Sequence, residues 1–357
     1  MPGISVRLNM WKIMVVGCNG ITRSWLDAVR GRPDVQIVTL VDVMRGRCEK
    51  INEDYGYNAG IYTDMDEAFA VSPANLVLDV TPPFVHREVV TKALKSGRYV
   101  IGEKPMSDSM ESARAMVKAA DESGRTYFVM QNRRFLPGIQ TLRNELNKTY
   151  LGKHYLVTCD MMLGAHFMGT VGGKGDFRNT MEHPVLIDML IHTFDQARYI
   201  VGDAKAVSAY CQEMNPPNSW YKGDAIALCI FEFDDGSTLS LRGSWATKCE
   251  NTTAHGAWKV YCTDGAICWD GADRVWANRA QPVPCAGYYE EEGIRGDVPL
   301  NYAGRDLHSG CVDAMLAALT CGGSMMTDCR NNLHSLAMVY ACVESSKTER
   351  KVYLKDI

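Results

Sequence analysis

The chain has 357 residues, of which 46% are hydrophobic and 22% charged, with a formal net charge of -4; this suits a folded protein of two domains and gives no basic run for nucleic acid or an anionic membrane. Its thirteen cysteines, an odd count with no Cys-x-x-Cys pair, argue against a disulfide framework or a zinc ribbon and suit a reducing cytoplasm. The opening "MPGISVRLNMWKIMVVG" lacks the layout of a signal peptide, and no apolar run reaches the length of a membrane span.

Five short apolar runs lead the chain: "KIMVVG" from Lys12, "VQIVTLVD" from Val35, "NLVLDVTPP" from Asn75, "RYVIGEKP" from Arg98 and "TYFVMQ" from Thr126. They are predicted to be buried parallel strands. Helices are predicted over Arg23 to Arg30, Phe84 to Ser96 and Met110 to Ser123, the last two closed by Gly97 and Gly124. Such alternation predicts a doubly wound parallel sheet of the Rossmann kind over 1–150, with ligands at the carboxyl ends of its strands. After Tyr150 the segments "HYLVTCDMM", "AVSAYCQEM", "AIALCIFEF", "STLSLRGSWA" and "WKVYCTDGAICWDG" predict longer antiparallel strands. With helices at Val185 to Tyr199, Leu307 to Leu319 and Asn332 to Ser345, they predict an α+β domain over 151–357. Gly-rich "MGTVGGKGDFRN" (168–179) reads as a substrate loop or a disordered connection, and "YYEEEGIRGD" (288–297) as a solvated loop.

The first strand runs into "GCNGITR", a partial dinucleotide fingerprint: Gly17 is in place, while Asn19 and Thr22 stand at the second and third glycine positions. Asn19 tolerates left-handed backbone, and Gly20 can admit a pyrophosphate to the helix N-terminus. Asp42, ending the second strand, is placed to accept a ribose hydroxyl and repel an extra phosphate, so NAD is favoured. NADP is the alternative if Arg45 or Arg47 turns inward. Three further motifs end strands: "TPPFVH" (Thr81 to His86), "GEKP" (Gly102 to Pro105) and "QNRRF" (Gln131 to Phe135). In "VLIDMLIHTFDQARY", Asp188, His192, Asp195 and Tyr199 recur at helical spacing on one stripe.

Taken in order, "VVGCNGITRSWL", "VTPPFVHREV", "GEKP", "QNRRF" and "HPVLIDMLIHTFDQARYIVG" resemble the glucose-fructose oxidoreductase, inositol dehydrogenase and rhizopine catabolism family (Gfo/Idh/MocA), and the resemblance runs over nearly the whole chain. It implies a Rossmann domain followed by an open-faced, largely antiparallel sheet, and assembly into a homodimer or homotetramer through that sheet. It maps the catalytic lysine, aspartate and histidine onto Lys104, Asp188 and His192, with a cis peptide joining Lys104 to Pro105. The implied cofactor set is Gly17, Asn19, Gly20, Ile21, Asp42, Thr81, Pro82, His86, Glu103, Lys104 and Gln131. Lys104, Arg133, Asp188 and His192 are the expected substrate contacts, joined by Arg178 and His183 just before the helix, either of which could equally be a loop cap.

The chemistry of these residue types agrees. Oxidising a secondary alcohol removes a hydroxyl proton as a hydride leaves carbon, which calls for a base titrating near neutrality. Histidine suits this, with Asp188 to orient it and Lys104 to stabilise the developing alkoxide. Asp188 could instead bind a neighbouring sugar hydroxyl. The expected protein is a cytoplasmic NAD-dependent oxidoreductase acting on a sugar, sugar derivative or cyclitol, with no metal. A metal at His166, His183, Asp188 and His192 is disfavoured because no two histidines share a helical face at i, i+4 spacing. Two alternatives remain: a redox-neutral NAD-dependent glycosidase, and a non-catalytic dinucleotide-binding regulator.

Overall fold

A computed structural model describes residues 10–164, 177–280, 294–323 and 325–357. The chain forms two compact units, one of 1–132 with 305–333, the other of 133–304 with 334–357. This differs from the single boundary expected at 150, because the late segment 305–333 belongs with the first sheet.

In the first unit the strands are β1 (Trp11–Val16), β2 (Val35–Val41), β3 (Gly60–Tyr62), β4 (Leu76–Asp79), β5 (Tyr99–Gly102) and β6 (Tyr127–Val129). All neighbouring pairs are parallel, in the order β3-β2-β1-β4-β5-β6. The order reverses between β1 and β4, which is where a doubly wound sheet opens a crevice for ligand. β1 and β4 are buried almost throughout because helices cover both faces. The helices are α1 (Thr22–Val29), α2 (Arg45–Tyr55), α3 (Met65–Val71), α4 (Pro83–Lys95) and α5 (Met110–Ser123). α5 has the bounds its sequence signals give, with Ser109 capping its start and left-handed Gly124 closing it. α2, β3 and α3 are additions to the expected elements.

The second unit begins with α6 (Pro137–Asn147) and β7 (His154–Met162). The expected helix over Val185–Tyr199 starts as a π-helical turn, Val185–Leu190, and continues as α7 (Ile191–Ile200). The strands that follow are β8 (Ala206–Met214), β9 (Ile226–Phe233), β10 (Thr238–Ser244), β11 (Ala257–Cys262), β12 (Gly265–Trp269), β13 (Val275–Arg279) and β14 (Ile294–Val298). With β15 (Val352–Tyr353) they form a nine-stranded sheet, β14-β13-β12-β11-β7-β10-β9-β8-β15. Only the β10 and β7 pair is parallel among its neighbours. β14 corrects the reading of 288–297 as a loop, since its last four residues pair with β13. Most of the Gly-rich segment 168–179, and His166, lie outside the described residues; Phe177–Thr180 form a short 3-10 helix.

Two helices complete the chain, α8 (Leu307–Cys321) and α9 (Cys329–Thr348). α8 packs against α1 in the first unit, and Arg32 and Arg305 both pair with Asp313. Inside the second unit the Arg134 guanidinium meets Asp195 through two bonds, of 2.6 and 2.8 Å, with side-chain exposures of 1% and 2%. Ser335 donates to the same carboxylate at 2.7 Å. Asp195 is therefore a buried tie, and Tyr199 bonds Gln140 at 3.0 Å; both belong to the packing of the stripe that also carries Asp188 and His192.

Candidate active site

At the crevice of the first unit, Gly17 follows β1 at φ +90°, and a Cβ there would lie 2.7 Å from the backbone carbon and oxygen of Val80. Only glycine fits that approach. Asn19 is not among the left-handed residues, which corrects the expectation for its backbone. It works through its amide instead: the nitrogen donates to Val80 O at 2.8 Å and the oxygen accepts from Ile21 N at 3.1 Å. Thr22, fully buried, donates its hydroxyl to Gly17 O at 2.9 Å, so a side chain clamps the turn where the fingerprint has glycine. A Cβ on Gly20 would meet open space.

Asp42 is 8% exposed and joins two turns, accepting from Cys18 N and from Met44 N, each at 2.8 Å. Arg47 approaches it at 3.6 Å, whereas Arg45 pairs with Glu49 along α2. Beside the Gly17 turn lies a cleft of about 500 Å³ whose lining includes Asn19, Gly20, Arg23, Met44, Arg47 and Lys50. An open glycine, a helix start and a cationic rim suit a pyrophosphate, and the Asp42 carboxylate suits a ribose. These residues fit a dinucleotide.

The other strand ends of this unit form a connected polar layer. Thr81 gives its N–H and hydroxyl to Asp79 at 3.1 and 2.6 Å, and burial raises the Asp79 carboxyl. Pro82 caps α4. His86 is fully buried, with its ring nitrogens 2.8 Å from Thr81 O and 3.2 Å from Met106 O, so it ties two loops rather than presenting a free edge to a ligand. The peptide between Lys104 and Pro105 is cis. Trp25 donates to Glu103 at 2.7 Å, and burial pushes that carboxyl upward. Gln131 is 1% exposed, and neither atom of its amide has a hydrogen-bond partner. His308 of α8 accepts from Asn132 at 3.1 Å; burial, with the charge of Lys104, depresses its pKa to about 4. Its place next to Lys104 was not legible in the sequence, where about two hundred residues separate them.

In the second unit the π-helical turn carries Asp188, and His192 follows in the first turn of α7 at 7% exposure. Arg178 holds Asp188 through Nε at 2.7 Å and Nη2 at 3.5 Å. Arg133 donates to Ala254 O at 2.5 Å and to Met189 Sδ at 3.1 Å. Burial lowers its pKa to about 10, against the opposing pull of Asp188. His255, absent from the sequence expectations, is depressed to about 4 by burial and by Arg133. His183 meets Glu213 at 2.7 Å and is raised by that bond. Arg133, Arg178, Asp188 and His255 thus share one electrostatic neighbourhood. A neutral imidazole beside Arg133 and a carboxylate gripped by arginine are groups able to bind hydroxyls.

Two domain models of one family match this chain: the oxidoreductase family, NAD-binding Rossmann fold, over 11–131, and the GFO/IDH/MocA C-terminal domain over 139–268. The chain belongs to the Gfo/Idh/MocA family. It is an NAD-binding oxidoreductase, an NAD(P)-dependent dehydrogenase by family. Among curated relatives, D-apiose dehydrogenase of Paraburkholderia graminis is 26% identical over 97% of this chain and 90% of its own. The scyllo-inositol 2-dehydrogenase (NAD(+)) of Bacillus subtilis is 28% identical over 59% and 60% respectively. An oxidoreductase from Agrobacterium radiobacter, crystallised with NAD+, L-tartaric acid and magnesium, superposes with a TM-score of 0.84 at 22% identity, over 97% of this chain and 99% of that one. That likeness establishes the fold. Among the described residues, no helix is long and apolar enough to cross a membrane.

Proposed function

We propose that the protein oxidises a secondary hydroxyl of a sugar, sugar derivative or cyclitol, with His192 as general base and Lys104 as the donor to the developing alkoxide. The observation that carries this reading is the buried turn in which Arg178 fixes Asp188 four residues before His192. Relatives named for D-apiose and scyllo-inositol support the substrate class. Bound NAD supplies the two-electron acceptor, held by the Gly17 turn, Gly20 and Asp42. His192 takes the hydroxyl proton, and the Lys104 ammonium stabilises the oxygen as charge grows on it. Asp188, Arg178 and Arg133 hold the remaining hydroxyls, since charged hydrogen-bonding groups left unmet by a deoxy analogue reject it strongly.

In this reading the protein works as a homodimer or homotetramer. The exposed cross-strand pair Tyr210 and Ile230, 43% and 49% accessible, gives the second sheet an apolar patch for a second copy. Light scattering that finds a monomer at micromolar concentration would count against assembly. The activity test is a panel of aldoses, cyclitols and aryl glycosides with NAD, recording NADH and aglycone separately. NADH formed from a free sugar or cyclitol is the expected result; aglycone release without net NADH would replace the dehydrogenase by the glycosidase.

A further inference from the structure

A second cluster stands in the second unit, on three segments that the sheet brings together. His183 precedes the π-helical turn, Glu213 is the next-to-last residue of β8, and Asp224 lies two residues before β9. Their ligand atoms all fall within 4.8 Å of one another. The arrangement is built by backbone: Lys222 N donates to Asn179 O at 2.9 Å and Asp224 N to Glu182 O at 3.0 Å. Between them, a Cβ on Gly223 would lie 2.0 Å from Glu182 O, so a side chain there would force the two loops apart.

The cluster is not complete as a hydrogen-bonded set. The Glu213 side chain is wholly buried and gives one oxygen to His183 Nδ1 at 2.7 Å, but its other oxygen has no hydrogen-bond partner. His183 Nε2 is likewise buried without one. A bare oxygen on a buried carboxylate is a costly feature that an unsatisfied ligand position explains.

We infer that His183, Glu213 and Asp224 form a site for a divalent cation of the zinc or manganese class. One imidazole nitrogen with two carboxylates is a mixed donor set that suits these ions better than calcium or magnesium, which favour oxygen alone. Two carboxylate charges balance the ion. The cation is a staple: it fastens the segment that carries Arg178 into the π-helical turn onto the end of β8.

The test uses the full chain, stripped with chelator, dialysed against micromolar ZnCl2 or MnCl2 and then assayed for bound metal and thermal midpoint, neither of which depends on catalysis. Wild type is expected to retain about one equivalent of at least one of the two ions and to melt several degrees higher with it. Glu213→Gln, which keeps the shape and the acceptor for His183, and Asp224→Asn should each weaken binding about tenfold or more. Wild type that retains neither ion overturns the proposal, whatever the variants do. Metal retained in full by the Glu213→Gln, Asp224→Asn double variant also overturns it, because the ion then sits elsewhere, for example on the buried thiols Cys211, Cys229 and Cys342.

Discussion

Replacing Asp42 by Asn separates what its carboxylate does for the cofactor from what it does for the fold. Both oxygens already serve the protein, each receiving a backbone N–H at 2.8 Å. An amide can accept one of those bonds but sets its own NH2 against the other, leaving a buried donor unmet at a cost of about 1–3 kcal/mol in stability. Arg47, about half exposed and 3.6 Å away, contributes about 1 kcal/mol or less to that balance. Toward NAD the variant loses a charged acceptor for the ribose, worth about 1.5–3 kcal/mol, so the Kd should rise by about one to two orders of magnitude. Toward NADP it also removes a repelling charge, so the preference between the cofactors should shrink by about tenfold or more. Titrating the intrinsic tryptophan fluorescence with each cofactor measures both constants, and urea unfolding measures the stability term. Wild type that already binds NADP more tightly, or a variant whose NAD affinity is unchanged, would refute the assignment and turn attention to Arg47.

His192→Ala should lower kcat by about 10² to 10⁴ with NAD affinity nearly unchanged, and Lys104→Ala by a comparable factor. The double variant should fall well short of the product of the two, and the acid limb of the wild-type rate profile should vanish in His192→Ala; a His192→Ala enzyme with full turnover refutes the base. Asp195→Ala removes two of the carboxylate bonds of the buried Arg134 guanidinium and leaves it Asp203 at 3.0 Å, so it should cost about 3 kcal/mol in urea unfolding, the low end for breaking a buried pair. His308, held near pKa 4 in the folded chain, binds its proton more readily when unfolded; its contribution is therefore whole above about pH 6.5 and falls as the pH drops toward 4. The loss should reach about 2 kcal/mol by pH 5, and His308→Asn should remove that part of the slope from unfolding curves taken between pH 7 and pH 5.

The parts of the fold legible in sequence are those where local pattern and tertiary burial agree. β1 and β4 are apolar runs because they are covered on both faces, and α5 is bracketed by its own cap residues. α2 escaped because "RGRCEKINEDY" buries only Cys48 and Ile51, too little to mark an apolar stripe; β3, with three residues, has no period to read. The π-helical turn escaped for a related reason: a hydrophobic spacing of three and four does not distinguish an i→i+5 turn from an α-helical one. At the candidate site, the loop motifs announced themselves by residue type at strand ends. His255, His308 and Glu213 did not, because nothing in their own segments marks them and only folding sets them beside Arg133, Asn132 and His183.

The return of 305–333 to the first unit also bears on how the chain can be made. On a ribosome, α1 emerges early, yet the helix that covers it follows about 170 residues of intervening chain, 133–304, a delay of roughly 10–30 s at ordinary elongation rates. Through that interval the α1 surface around Trp25, fully buried in the finished protein and 6.3 Å between ring centroids from His308, lacks its partner. The nucleotide-binding half therefore cannot finish folding in the order it is translated. A fragment ending near residue 132 should be sticky and a poor stand-in for the cofactor domain, whereas joining 305–333 to it by a flexible linker should restore a soluble, NAD-binding unit.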